Sequence, residues 1–409
     1  MTEGRSPIPS APRRTPRIFV SVAERSADLY AAQFIRAFDS RFGPAEFYGL
    51  TGPLTRSVGV HTVHDLTHRS SMLFSAIARV PEALLLLRRL RRDFMRNPPI
   101  AAVLVDSPAL NLPLAGICKS LQIPVLYYVA PQTWAWREGR VKKIRRRVDR
   151  LIAILPFEED YFRKHQISVC HAGHPLFEWL EQSQADASRV EQYVSDAQPV
   201  VVLMPGSRRQ VIHEVFPGQL HVAARIRQQF PKARFLLAAA DADGEDLARM
   251  MATRAQRGGD GPPPDCIVFD HRYRQEMLLA ADLALVASGT ATLEVAYRAT
   301  PMIVMYNHGR LIYPLIKAAF ALFGRSFIRT RFLSLPNILA DREIVPEFMP
   351  YYRRIEPIAD CAIAMLRDPA GLQARQRELA ELIAPLVRTD VSAAVAAELD
   401  ALIRVGARG

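Results

Sequence analysis

The 409-residue chain is short of cysteine, of acidic charge and of long uncharged apolar runs. Its four cysteines, Cys118, Cys170, Cys266 and Cys361, lie far apart with no CxxC spacing. That excludes a disulfide framework and a cysteine zinc site, and fits buried thiols in a reducing compartment. No stretch reaches the ~18 uncharged apolar residues of a spanning helix, so the reading is of a soluble or peripheral protein. The opening MTEGRSPIPSAPRRTP has no apolar core, unlike a signal peptide, and residues 1–16 read as a disordered tail. Acidic residues number 41 against 53 basic, giving a net charge of +12 and a pI near 9.8. Such a balance favours an anionic partner: phosphates, nucleic acid or an acidic membrane face.

What is present is ordinary globular chemistry, 49% hydrophobic and 23% charged, in a chain long enough for two cores. Apolar strand candidates alternate with helical patterns. They are Ile18–Val22, Glu46–Leu50, Ala102–Val105, Val125–Val129 and Leu151–Leu155, then Val200–Met204, Phe235–Ala239, Cys266–Phe269, Leu283–Ala287 and Met302–Met305. Near-continuous apolar strands belong to sheets covered on both faces, hence parallel and doubly wound. The expected fold is α/β with two Rossmann-like domains facing a cleft, over 17–180 and 199–345, and C-terminal helices over 346–409 packing back. Residues 181–198 read as a connector and 254–265 as a surface loop. The DADGED run from Asp241, with its metal-site-like DxD, also reads as loop.

Ligands of open parallel sheets sit outside the carboxyl ends of the strands. Four strand-end turns therefore stand out. In ASGTATLE, Ser288, Gly289 and Thr290 turn a strand into a helix, where hydroxyls and free N–H groups suit a diphosphate. Glu294 lies one turn on, within reach of ribose hydroxyls. A plain helix cap explains the same residues, and on spacing alone the two readings stand level. In MPGSRRQVIHE, Ser207 and Arg208 follow a strand, and a guanidinium there can grip a phosphate with two bonds. Neither turn is a GxxxxGK[ST] loop or a GxGxxG fingerprint. VLVDSPALN places Asp106 at a strand end, as a candidate general base or a helix cap. SVAERSADLY offers Glu24, Ser26 and Asp28 at another such turn.

Together with YYVAPQTWAWREGRVKKIRRRVDRLIAILPFEEDYF, AGHPL and SLPNILADREIVPE, these stretches make the chain resemble the lipid-A-disaccharide synthases, glycosyltransferases of GT-B architecture. The resemblance runs from about Arg17 to at least Pro350. It implies a donor, UDP-2,3-diacylglucosamine, and an acceptor, 2,3-diacylglucosamine 1-phosphate. They are joined with inversion, without metal or other cofactor, into a β-1,6-linked disaccharide 1-phosphate plus UDP. It implies Asp106 and Arg208 as catalytic residues, Glu24, Ser26 and Asn337 in the cleft, and Ser207, Ser288, Gly289, Thr290 and Glu294 about the UDP. Two departures stand against the family pattern. The first turn has Ala23 and Ala27 where the family has glycines, a cost of about 1 kcal/mol if either needs positive φ. Ala109 replaces a second aspartate after Asp106. The competing readings are a catalytically altered relative and another UDP-sugar enzyme of the same architecture.

The remaining features concern surfaces. Arg137–Arg150 is dense in positive charge beside Trp134 and Trp136; no nucleic-acid fold signature accompanies it, so lipid or substrate phosphate is the expected partner. Met72–Leu90 and Leu311–Phe323 are too short to span and read either as core helices or as interfacial segments beside Arg88, Arg89, Arg91, Arg92 and Lys317. His61, His64 and His68 lack an accompanying ligand set for a metal. The expectation is a cytoplasmic protein held peripherally on an anionic inner membrane of a Gram-negative-type bacterium, with a homodimer left open.

Overall fold

Two parallel sheets carry the molecule, and the computed structural model describes residues 15–65, 80–135, 138–194, 198–259, 261–307 and 330–406. The first sheet contains β1 (Arg17–Ser21), β2 (Glu46–Thr51), β3 (His61–Asp65), β4 (Ala101–Val105), β5 (Val125–Tyr128), β6 (Arg150–Ala153) and β7 (Val169–His171). Its order is β3-β2-β1-β4-β5-β6-β7, with every pair parallel. The second contains β8 (Val200–Met204), β9 (Arg234–Leu237), β10 (Ile267–Phe269), β11 (Leu283–Ala287), β12 (Met302–Met305) and β13 (Glu347–Phe348). Its order is β10-β9-β8-β11-β12-β13, again all parallel.

The alternation of side chains along each strand sorts them between cores. Ile18 and Val20 face a core shared by both sheets and the C-terminal helices, while Phe19 faces the outer core of the first sheet. Likewise Val200, Val202 and Met204 face the shared core, and Val201 and Leu203 the outer core of the second. Strands β4, β8 and β11 are buried at every position, which is why they read as unbroken apolar runs. The C-terminal helix Val391–Gly406 packs back on the helix Arg25–Phe42 of the first half. Its first turn is fixed by Glu178, which accepts the Ser392 N–H at 3.1 Å and the Ser392 hydroxyl. Arg150 and Glu398 tie the same helix to β6 through two hydrogen bonds of 2.6 and 2.8 Å.

The structure revises several expectations. Strands β3, β7 and β13 are additional: β3 and β7 are half-buried edges, and β13 is only two residues long, so none leaves an apolar run. The second sheet thus extends past residue 345. The connector contains the helix Ala187–Val194, and the helix Ala242–Arg257 occupies both the DADGED run and the start of the supposed 254–265 loop. Asp241 is its N-cap, accepting the Gly244 N–H at 2.6 Å. Trp134 is buried, its indole N–H donating to Glu158 at 3.0 Å, so it is not an exposed partner for the basic helix. Trp136, Arg137, His68, residues 72–79 and the whole of Leu311–Phe323 lie outside the described residues.

Asp28 also has a structural task. It is 2% exposed and accepts the N–H groups of Gly52, Leu54 and Thr55 and the Thr55 hydroxyl, all at 2.6–3.1 Å, capping the short helix Pro53–Ser57. Asp28→Ala strands these donors in a dry site, so it should lower stability by on the order of 3 kcal/mol, read as a drop in urea midpoint. An unchanged midpoint would show that water replaces the carboxylate freely.

Candidate active site

The order of each sheet reverses once, between β1 and β4 in the first and between β8 and β11 in the second. Ligand sites of open parallel sheets form at such reversals, beyond the strand carboxyl ends. The four strands at the two reversals lead directly into the four turns singled out above. Glu24 and Ser26 follow β1, Asp106 follows β4, Ser207 and Arg208 follow β8, and Ser288–Thr290 follow β11. A cavity of about 380 Å³ lies between the sheets, lined by Glu24, Ser26, Asp106, Arg208 and Thr290 from these turns.

Two charge pairs bridge the cleft. Arg208 Nη2 donates to Glu24 Oε2 at 2.6 Å, and Arg25 pairs with Asp241. Ala23 and Ala27, the departures in this turn, are not among the residues with positive φ, and Ala27 is fully buried within the helix Arg25–Phe42. The conformational cost that glycine would relieve is therefore not incurred.

Asp106 sits in a strained turn. Asp106 and Ser107 both have positive φ, 50° and 44°, which costs on the order of 1–3 kcal/mol per residue. Hydrogen bonds hold the turn. Asp106 N–H donates to Tyr128 O at 2.8 Å, and Asp106 O accepts the Tyr127 hydroxyl at 2.6 Å and Asn111 Nδ2 at 2.8 Å. Asn111 is fully buried, and its Oδ1 accepts the Ser21 hydroxyl at 2.7 Å, linking β1 to the turn. The turn therefore aims the carboxylate into the cavity without spending it on a cap. Burial raises Asp106 to about 6, helped by the negative charge of Glu24 and opposed by the Ser107 N–H and Arg208. A carboxylate tuned towards neutrality is suited to accept a proton.

On the opposite wall, Gly206 has φ +105°, and a Cβ there would meet Val211 Cγ1 at 2.8 Å, so the turn before Arg208 requires glycine. Gly289 has φ +138° with open space where a Cβ would stand, leaving its backbone accessible. Ser288 is half-buried and Thr290 exposed. Glu294 is 6% exposed and already bound, accepting from Arg274 at 2.5 and 2.9 Å and from Gln275 at 2.6 Å. Asn337 is fully engaged. Its Nδ2 donates to Val345 O and Glu347, and its Oδ1 accepts from the N–H groups of Ile344 and Val345. Of the residues singled out, then, Glu24, Ser26, Asp106, Arg208 and Thr290 meet in one cavity, whereas Asn337 and Glu294 act as ties within the second half.

Sequence reasoning missed other lining residues, Tyr30, Glu158 and His174, while Arg140, which also lines the cavity, belongs to the basic run expected to meet lipid or substrate phosphate. His174 belongs to AGHPL, just before a helix-starting proline, a pattern equally read as a helix entry. Glu158 is buried and raised to about 7 by that burial, against the donors Trp134, Leu155 and Ile154. It anchors the loop of Gln132 and Thr133 to the cavity wall.

The fold and these paired turns define a two-domain α/β protein of the glycosyltransferase GT-B type. CalG4, the calicheamicin glycosyltransferase, superposes with a TM-score of 0.54 at 15% identity, over 95% of this chain and 98% of that one. The UDP-GlcNAc 2-epimerase of Neisseria meningitidis bound to UDP-GlcNAc gives 0.60 at 11% identity, over 94% and 99%. At such identities the likeness is one of fold alone, and sequence separates the activities. The model of the lipid-A-disaccharide synthetase family matches residues 18–395. A lipid-A-disaccharide synthase of Anaeromyxobacter dehalogenans is 34% identical over 396 residues, 96% of this chain and 99% of that protein. One from Chromohalobacter salexigens is 31% identical over 390 residues, 95% and 97%. The chain belongs to the lipid-A-disaccharide synthase family and has its glycosyltransferase activity.

The electrostatics of Asp106 give a test. A base must be unprotonated, so an enzyme that uses Asp106 as its base should lose kcat/KM as pH drops through about 6. Glu24→Gln removes the like charge and should move this acid limb to lower pH; Arg208→Ala removes the opposite charge and should move it higher. A limb that stays put in both variants would assign the titration to another group.

Proposed function

We propose that Asp106 is the general base of the transfer, taking the proton of the acceptor's 6-hydroxyl as that oxygen attacks the anomeric carbon of the UDP-sugar from the face opposite the leaving diphosphate. The observation that carries this reading is that Asp106 and Arg208, from opposite halves of the chain, line one cavity together with Glu24, which bonds Arg208. Arg208 takes the diphosphate, aided by Ser207, the hydroxyls of Ser288 and Thr290 and the accessible backbone at Gly289. Glu24 pairs with Arg208; on binding, the diphosphate replaces it. Ser26 faces the acceptor. Three donors already reach the carboxylate of Glu294, which leaves one of its roughly four lone-pair sites for a ribose hydroxyl. Asn337 contributes by holding the segment Ile344–Glu347. The substrates in this reading are UDP-2,3-diacylglucosamine and 2,3-diacylglucosamine 1-phosphate.

Asp106→Asn should keep a normal melting curve and UDP affinity while losing ~10²–10⁴-fold in turnover. Near wild-type turnover would remove Asp106 from the role. Arg208→Ala should weaken UDP binding as well as rate, with neither sensitive to EDTA; unchanged UDP affinity would contradict the diphosphate assignment.

Acylated substrates are delivered from a bilayer, and no described helix is long and apolar enough to cross one. We place the contact at the helix Val80–Arg96, on the cytoplasmic face of the inner membrane. This helix buries Leu90 and Phe94 in the core yet exposes Leu84 at 48%, Leu85 at 52% and Met95 at 64%, among exposed Arg88, Arg89, Arg91 and Arg92. Apolar side chains beside cations suit an anionic interface, each basic residue adding about 1 kcal/mol that salt screens. Leu84→Ser with Leu85→Ser should reduce binding to anionic vesicles and turnover of long-chain substrates, leaving UDP affinity intact. Unaltered vesicle binding in a folded double variant would move the membrane contact elsewhere.

A further inference from the structure

His174 stands between β7 and the helix Pro175–Gln182, 4% exposed, and lines the cavity. Its Nδ1 accepts the Leu176 N–H at 3.1 Å, capping the helix. An accepting Nδ1 puts the ring proton on Nε2. The ring of Tyr30 lies edge-on to it, centroids 6.0 Å apart and planes at 90°. Among the described residues, neither His174 Nε2 nor the Tyr30 hydroxyl has a hydrogen-bond partner. Nor is either one of the sealed orphan groups of this region, which include the Tyr128 hydroxyl and His171 Nε2. Both therefore open onto the cavity that their residues line.

The chemistry of this pair is narrow. Burial lowers His174 to about 3, so the ring is neutral wherever the enzyme works. A neutral ring with Nδ1 occupied is neither a proton acceptor facing the cavity nor a cation for phosphate. It is a fixed N–H donor, and it does not compete with Asp106 as base. The tyrosine hydroxyl beside it, its ionisation pushed upward by burial and by the charges of Asp106 and Glu294, is a second neutral donor. Donors that open onto a cavity and have no partner in the protein are free to bond a ligand's acceptor in place of water. We propose that His174 Nε2–H and the Tyr30 hydroxyl bind a neutral oxygen of the acceptor sugar, a hydroxyl or an acyl carbonyl, and so fix the orientation in which that sugar meets Asp106. This assignment rests on the glycosyl-transfer reading above and adds the substrate-binding residues on the wall of the first sheet.

The test is steady-state kinetics of the full chain with 2,3-diacylglucosamine 1-phosphate varied at saturating donor, beside UDP titrations and melting curves. Turnover by the unaltered protein checks the underlying reading independently of His174. His174→Asn keeps an oxygen to accept the Leu176 N–H but withdraws the donor from the cavity. It should melt normally, bind UDP normally and lose about tenfold in kcat/KM for the acceptor. His174→Gln, whose amide reaches the Nε2 position, should recover most of that loss. Tyr30→Phe, which preserves the ring packing, should lower the same parameter severalfold. Wild-type acceptor kinetics in His174→Asn, or a loss that falls on the donor instead, would overturn the proposal. So would a glutamine variant no better than asparagine. If His174→Asn fails to fold, wild-type acceptor kinetics in Tyr30→Phe would still overturn the proposal.

Discussion

The hydrogen-bonded ion pair between Arg208 and Glu24 joins the two halves of the chain across the cavity. Each partner stands at the carboxyl end of a strand bordering a sheet reversal, so the pair aligns one reversal with the other. Both side chains remain partly exposed, 54% and 34%, so the pair is worth little as a stabiliser and is easily exchanged. In the proposed transfer, Glu24 keeps the guanidinium in the cleft until a more strongly charged anion replaces it. Release of Glu24 would also alter the field at Asp106, because Glu24 raises the Asp106 carboxyl and Arg208 lowers it. In the proposed transfer, nucleotide binding and the basicity of Asp106 are thereby coupled through a single side chain.

The rest of the first half supports the carboxylate that this pair tunes. Successive residues in the left-handed region carry a conformational cost, which Asn111, Tyr127 and Tyr128 offset by bonding the turn's backbone. Asn111 in turn depends on Ser21 at the end of β1. The buried network thus runs from one strand of the reversal to the other beneath Asp106. Farther out, Glu178 and Glu398 hold the C-terminal helix against the first half, so the chain's last helix helps to set the cleft.

Sequence and structure agree where burial leaves an unmistakable pattern. VVVLM and LALVA could only be strands covered on both faces, and the four turns following such strands were legible because ligand sites form there. The edges were not legible: β3 alternates half-buried polar residues, and β13 has only two residues. Polar side chains were ambiguous for a related reason. Asp28 and Glu24 lie in one short motif, yet one caps a helix and the other faces the cleft, and only the path of Gly52–Thr55 distinguishes them. Asn337 similarly spends its amide on a backbone segment. His174 left no signal apart from a helix entry, since its open nitrogen is defined by what surrounds the ring.

The central claim is that Arg208 leaves Glu24 for the nucleotide diphosphate, with Asp106 beside the reacting centre. A crystal structure with UDP bound tests it most directly. The account predicts guanidinium-to-phosphate distances of about 2.7–2.9 Å, a broken Arg208–Glu24 bond and an unchanged Asp106 turn. UDP bound away from Ser288–Thr290, with Arg208 still on Glu24, would contradict it.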